Sequence, residues 1–141
     1  MRGKTIALDL GSVNTCIYQL GAGVVLSEPS AVAYTEGAKK KIKAVGAEAK
    51  KLVGKTADMT QVVYPVFEAQ IEDEKMATAM VENFLNKITL RKFGARPSVL
   101  LSVPCGLENE EIVKYEKVLN GAGVYHIDYV ESPILTALGL G

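Results

Sequence analysis

Cysteine and histidine are scarce in this chain, and their scarcity excludes several chemistries at once. Among 141 residues there are two cysteines and one histidine, His126. Cys16 and Cys105 lie far apart in apolar sequence, with no C-x-x-C pair. Neither a disulfide framework nor a zinc site is expected, and the composition fits a reducing cytoplasm. Net charge is missing too, because sixteen basic and sixteen acidic side chains cancel. With no global field to steer it, the chain is not expected to bind nucleic acid. No apolar run reaches 18 residues and no signal-type segment opens the sequence, so neither secretion nor a membrane span is expected. What is present is a 48% apolar composition, enough over this length for one domain with a real core.

The pattern of apolar residues gives a strand-rich front and an alternating strand and helix back. Residues 4 to 10, 14 to 20 and 23 to 27 read as an antiparallel meander, turned at Gly11 to Val13 and at Gly21-Ala22-Gly23. Pro29 is expected to break it. Residues 30 to 35 and 41 to 45 form a second strand pair around a solvated lysine turn at Lys39 to Lys41, and 47 to 53 a short helix stopped by Gly54. From Asp73 to about Leu90, apolar Met76, Ala77, Met80, Val81, Phe84, Leu85 and Ile88 recur at three and four, the mark of an amphipathic helix. Strand 99 to 103, helix 109 to 120 with Gly121 as its stop, and strand 125 to 130 imply a right-handed parallel crossover. Ser132-Pro133 then opens a last helix to about Leu138.

The segment Asp9-Leu10-Gly11-Ser12-Val13-Asn14-Thr15 joins the first two strands. Gly11 permits close backbone approach to an anion, free N–H groups of Gly11 to Val13 suit phosphate oxygens, and Asp9 is hard oxygen ligand material for Mg²⁺. A metal-bound phosphate, as in ATP, is the expected guest.

Four further segments accompany it: Val24 to Ser30, Ala44 to Lys50, Ser102-Val103-Pro104-Cys105-Gly106 and Val130-Glu131-Ser132-Pro133. In this order and spacing the five resemble the MreB family, the bacterial actins, and are more distantly similar to the heat-shock chaperone ATPases and to actin. The resemblance implies an α/β, ribonuclease H-like actin-type fold, with a mixed sheet of meander followed by parallel strands. It covers the whole chain but only the first half of the family's length. It further implies a core subdomain (1–30 and 75–141) with a smaller inserted one (31–74). By the same resemblance Asp9 holds Mg²⁺ through water, and Gly11, Ser12, Val13 and Asn14 form the first phosphate loop. Ser132 stands where the family has its water-orienting glutamate. Glu131 lies one residue earlier, and adjacent strand residues point apart, so hydrolysis by the parent is expected to be slow or lost. ATP and Mg²⁺ belong to the full-length parent, and this chain alone is expected to hold neither tightly.

The expected function is therefore the N-terminal portion of an ATP-binding filament protein for cell shape and wall synthesis, cytoplasmic and able to associate with the inner membrane. Its expected partners are further copies of itself, the membrane surface and wall-synthesis proteins. A non-polymerising chaperone-like or pilus-assembly ATPase, and a stand-alone binding module without nucleotide, are the alternatives. Leu90 and Phe93 with basic neighbours could form a membrane wedge. An uncovered apolar sheet face is expected to drive the isolated chain to a dimer or larger species. The P-loop-like run Ala49 to Thr56 is accidental on this reading, because it begins in helix rather than after a strand. His126 reads as structural, and Met76 and Met80 as core.

Overall fold

A computed structural model of the chain describes residues 2–55, 59–88 and 95–132. The first strands are β1 (Arg2–Leu10), β2 (Asn14–Gln19), β3 (Gly23–Pro29), β4 (Val32–Thr35) and β5 (Lys41–Val45), followed by helix α1 (Ala47–Lys50). Next come β6 (Thr60–Val63), β7 (Val66–Phe67), β8 (Gln70–Ile71), α2 (Glu74–Lys87), β9 (Arg96–Val103), α3 (Asn109–Gly121) and β10 (His126–Glu131).

The main sheet has the order β10-β9-β1-β2-β3. β1, β2 and β3 form the expected antiparallel meander, while β9 lies parallel to both β1 and β10. Alternation along β1 sends Ile6, Leu8 and Leu10 into the core, where they meet Ile17, Val99 and Leu101. The helices cover that face, Met76, Met80, Phe84 and Leu85 of α2 and Tyr115, Val118 and Leu119 of α3 joining the same cluster. The Asp73 carboxylate caps α2 by accepting the Met76 N–H at 3.0 Å, satisfying one of the donors that a helix start leaves open.

A second sheet, β5-β4-β6, carries the smaller half. β4 is buried on both sides: Ala33 packs with Ala31 and Ala49 in a small core of its own, while Val32 and Tyr34 join the main cluster. Glu28, at the end of β3, ties the two parts together. Its carboxylate accepts from the Ala47 N–H at the start of α1 (3.1 Å) and from Lys87 Nζ of α2 (2.9 Å). Gly46 makes room for it: its φ is +70°, and a Cβ there would collide with the Glu28 carboxylate.

Several boundaries differ from the sequence reading. β3 continues past residue 27 and ends at Pro29, which breaks the meander as expected while still paired with Asn14, and β4 begins only at Val32. α1 stops at Lys50, and Gly54 (φ +76°) closes the turn that follows. Gly121 is the last residue of α3 rather than its stop; Gly123 (φ +95°) takes the left-handed position instead. Strand β6 and the hairpin β7-β8 have no counterpart in the reading. The proposed wedge at Leu90 and Phe93 and the helix beyond Ser132 lie outside the described residues. Cys105 is exposed rather than apolar in setting, and Cys16 is half-buried with its thiol 3.5 Å from Ser27 Oγ.

The two-residue loop of the β7-β8 hairpin, Glu68-Ala69, has φ +47° and +63°. That is the type I′ geometry, which Asn-Gly adopts freely and a Cβ-bearing pair adopts with strain. Ala69→Gly is therefore expected to stabilise the chain by about 1 kcal/mol in urea unfolding, and Gly46→Ala to destabilise it by about 2 kcal/mol or more. An unchanged midpoint in both variants would show that these backbone conformations are not populated.

Candidate functional site

β1, β9 and β10 run parallel, so their carboxyl ends lie side by side, the place where open α/β sheets present ligand-binding residues. Asp9 is the penultimate residue of β1, flanked by the buried Leu8 and Leu10, and its own side chain is exposed. The register pairs it with Cys16 on one side and Ser102 on the other. Desolvation by its surroundings raises the Asp9 carboxyl above its ordinary pKa, so as a lone anion it is short of compensation.

After Asp9 the backbone turns tightly. The Gly11 N–H donates to the Asn14 carbonyl at 3.1 Å, and a Cβ at Gly11 would lie 2.5 Å from that same oxygen. Gly11 is thus required by the closeness of its own turn, and its N–H is not free for an anion as the sequence reading had it. The N–H groups of Ser12 and Val13 have no acceptor among the described residues. Val13 holds the turn from its other end, its carbonyl accepting from the Ser30 N–H at 2.8 Å while its side chain stays exposed. Asn14 is exposed at the start of β2.

The strained hairpin reaches this turn from 56 residues away, the Glu68 N–H donating to Ser12 Oγ at 2.9 Å. Its other anchor is Tyr115 of α3, whose hydroxyl donates to the Ala69 carbonyl at 2.8 Å. Burial, with the nearby charges of Glu111 and Asp9, pushes Tyr115 up to about 12. Asp9, Ser12, Glu68 and Tyr115 therefore form one neighbourhood.

On the β9 and β10 side, Ser102 is buried and its hydroxyl lies 3.0 Å from that of Ser132. Ser132 Oγ donates to the Val103 carbonyl at 3.0 Å, which leaves Ser102 to donate to Ser132. Glu131 is engaged elsewhere: its carboxylate accepts from the Cys105 thiol at 3.3 Å, and that bond, with desolvation, raises the thiol pKa. The structure brings Ser102 and Ser132 into contact and places Ser102 beside Asp9, but it does not bring Glu131 to Ser132. Among the described residues no group of three or more His, Cys, Asp or Glu side chains could hold a metal ion. His126 is exposed and 3.1 Å from Asp128, apart from this cluster. Glu68 and Tyr115 were not singled out by sequence, and Ser102 entered only as the first residue of a motif, with no role given to it. Only Ser102 left a trace there, as a hydroxyl in the otherwise apolar run Val99 to Val103.

Comparison with known proteins bears on this arrangement. A family model described as MreB/Mbl protein matches residues 3–141. The cell shape-determining protein MreB of Escherichia coli K12 is 34% identical over 146 residues, covering 100% of this chain and 42% of its own length. The cell shape-determining protein Mbl of Bacillus subtilis is 31% identical over 141 residues, with the same coverage of 100% and 42%. The chain thus spans less than half the length of these relatives. Among solved structures, MreB5 of Spiroplasma citri bound to ADP superposes with a TM-score of 0.83 at 30% identity, over 99% of this chain and 41% of that one. The MamK double helical filament shares the fold at 15% identity, with a TM-score of 0.79 over 96% of this chain and 43% of that one.

The raised pKa of Tyr115 makes a pH prediction. Unfolding returns its phenol to about 10 from about 12, so between those values the folded state binds the extra proton. Stability is complete below pH 10 and falls as pH rises toward 12. The expected result is a steeper alkaline loss of thermal midpoint in the parent chain than in Tyr115→Phe; parallel curves would refute the assignment.

Proposed function

The chain belongs to the MreB/Mbl family, and from that premise we propose that it is the first phosphate-binding portion of an actin-like ATP-binding protein that assembles into filaments serving cell shape and wall synthesis. The observation that carries the reading is the Asp9 turn: an exposed, partly desolvated carboxylate at a parallel-strand end, next to two backbone N–H groups that have no acceptor among the described residues. On this reading the turn Gly11, Ser12, Val13 and Asn14 cradles phosphate oxygens, the N–H groups of Ser12 and Val13 donating and Gly11 closing the turn against Asn14. Asp9 faces Mg²⁺ through water. A single carboxylate suits that ion, which keeps most of its waters and takes its remaining ligands from phosphates. Mg²⁺ would supply charge neutralisation of the phosphates when bound. The chain's own part is to hold the turn rigid and to keep a negative group where the ion sits.

We further read residues 1–30 and 75–141 as a core subdomain and 31–74 as a smaller inserted one, the second sheet and its alanine-lined core supporting that division. Ser132, at the position of the family's water-orienting glutamate, has its hydroxyl proton committed to the Val103 carbonyl. It carries no charge and is a poor general base, which favours a parent that binds nucleotide and hydrolyses it slowly. The same observation supports the second reading, a non-polymerising chaperone-like or pilus-assembly relative that uses the fold as a switch. Cytoplasmic location, with partners at the inner-membrane surface and among wall-synthesis proteins, completes the proposal. Among the described residues no helix is long and apolar enough to cross a membrane.

The chain by itself contributes phosphate contacts only, so its affinity for Mg·ATP is expected near about 1 mM, roughly −4 kcal/mol. At about ten times that concentration the ligand should stabilise the fold by about 1.4 kcal/mol, readable as a rise in thermal midpoint. The Asp9 pKa is raised in the fold, so its ionisation at neutral pH opposes folding. Asp9→Asn is therefore expected to raise the midpoint without ligand and to abolish the further rise with Mg·ATP or Mg·pyrophosphate. A Mg·ATP response that survives Asp9→Asn would overturn the site.

A further inference from the structure

The second half of the Asp9 turn is held by half a rung of sheet. Asn14 pairs with Pro29 and Thr15 with Glu28, so the register of β2 and β3 carries on to place Val13 opposite Ser30, one residue past the ladder on both sides. Bonded pairs in an antiparallel ladder exchange two backbone hydrogen bonds. Here one of them is made, the Ser30 N–H donating to the Val13 carbonyl at 2.8 Å, and the Val13 N–H does not return it to Ser30. A side-chain bond stands in place of the missing one. Thr15 Oγ1 and Ser30 Oγ lie 2.8 Å apart, and both residues are 0% exposed.

The peptide units of the turn divide accordingly. The unit joining Leu10 to Gly11 is fixed by the Gly11 N–H bond to the Asn14 carbonyl, and the unit joining Val13 to Asn14 by the Ser30 N–H bond to the Val13 carbonyl. The two units between them carry the Ser12 and Val13 N–H groups, which have no acceptor among the described residues. Ser30 itself lies in the connection from β3 to β4, outside either strand, and its hydroxyl ties it to β2. A ring is thereby closed through Val13, Asn14, Thr15 and the two hydroxyls. Stability alone gives no reason for this choice, because replacing both partners of a buried hydrogen bond by apolar groups of the same shape can be nearly neutral. What valine and alanine in these places would not supply is direction.

We propose that the buried hydroxyl pair of Thr15 and Ser30 positions the phosphate turn, holding the Val13 carbonyl so that the Ser12 and Val13 N–H groups stay unpaired and oriented for a metal-bound polyphosphate before it arrives. Thr15 and Ser30 are positioning residues: their hydroxyls are buried against each other and act on the ligand only through the backbone of the turn. Donors fixed in advance cost no further ordering when the anion binds. Without the pair, the peptide unit joining Val13 to Asn14 is freer to rotate, and the Val13 N–H can complete the rung on the Ser30 carbonyl instead of serving a phosphate. The proposal rests on the phosphate-turn reading above and adds two residues that the ligand does not touch.

Titration of the 141-residue chain with Mg·pyrophosphate, followed by the amide resonances of Ser12 and Val13, tests it. Thr15→Val removes one hydroxyl while keeping the shape, and Ser30→Ala removes the other; each is expected to weaken binding about fivefold, the worth of one ordinary hydrogen bond. The double variant is expected to lose no more than either single one, because the two hydroxyls act as a unit. Thr15→Ser keeps the hydroxyl and should bind as the parent does. Val118→Ala supplies the control. It truncates a fully buried side chain near the end of α3, which Arg96 ties to the start of β9 through the Gly123 and Val124 carbonyls, at the opposite end of the sheet from the turn. It is expected to lower the thermal midpoint and leave the affinity unchanged. Should Thr15→Val and Ser30→Ala bind like the parent, or should Val118→Ala lose affinity as they do, the pair is merely structural and the proposal falls while the phosphate turn stands. If Ser30→Ala does not fold, the isosteric Thr15→Val decides alone. A parent chain that binds no Mg·pyrophosphate overturns both readings.

Discussion

The register of β1 is the constraint from which the site follows. β1 is held on one edge by antiparallel β2 and on the other by parallel β9, and both ladders fix the same parity, Leu8 opposite Ile17 and Leu101, Asp9 opposite Cys16 and Ser102. A slip by one residue would drive Asp9 into the cluster of Ile17, Leu101 and Phe84 and expose Leu8 and Leu10. An uncompensated carboxylate in such a core is costly enough to exclude that register. The same hydrophobic alternation that builds the core therefore presents Asp9 at a strand end, with no separate device needed to aim it.

Glu28 plays the corresponding part for the smaller half. Its carboxylate meets the first N–H of α1, where negative charge is favoured, and the ammonium of Lys87 from the last turn of α2. Both partners lie far away in sequence, so one side chain fixes the exit of β3, the start of α1 and the end of α2. Gly46 is the condition for it. Any side chain there would displace the carboxylate or press on Phe84, whose ring also lies near the Gly46 backbone. The glutamate in the Glu28-Pro29 motif thus has a structural explanation in this fold, independent of any ligand.

Much of this was legible in sequence because its signals are periodic. β1 to β3, α2, β9 and α3 carry alternation or three-four spacing over enough residues to fix their type, and Asp73 announced its helix by capping it. What was not legible is short or long-range. β7 and β8 have two residues each, too few for a period, and their turn is Glu-Ala where local chemistry leads one to look for Asn-Gly. The contact of Glu68 with Ser12 depends on tertiary packing that no local pattern encodes. At the turn itself residue types pointed to the right place but not to the donors. Gly11 was read as an anion-binding N–H, whereas closing a turn this tight against Asn14 consumes that group and leaves Ser12 and Val13.

The neighbourhood of Asp9 is also where local rules are most strained. Asp9 is desolvated and has no counter-charge beside it among the described residues, Glu68 and Ala69 hold positive φ without being glycine, and Ser12 spends its hydroxyl on the hairpin rather than on its own turn. Elsewhere α2 is capped, periodic faces are buried and Gly21 and Gly23 stand where positive φ is needed, while Met59 (φ +56°) and the buried Asn83 Oδ1 and Ser98 Oγ, unpaired among the described residues, are isolated departures. Several such departures gathered in one neighbourhood mark a site whose conformation is held by its surroundings. On the proposed reading a phosphate with its cation relieves the largest of them, by giving Asp9 an opposite charge. It also competes for the Ser12 hydroxyl that now accepts from Glu68. Binding at the turn and the position of the hairpin are then coupled through one oxygen atom, and by linkage whatever holds the hairpin must alter affinity at the turn by the same factor.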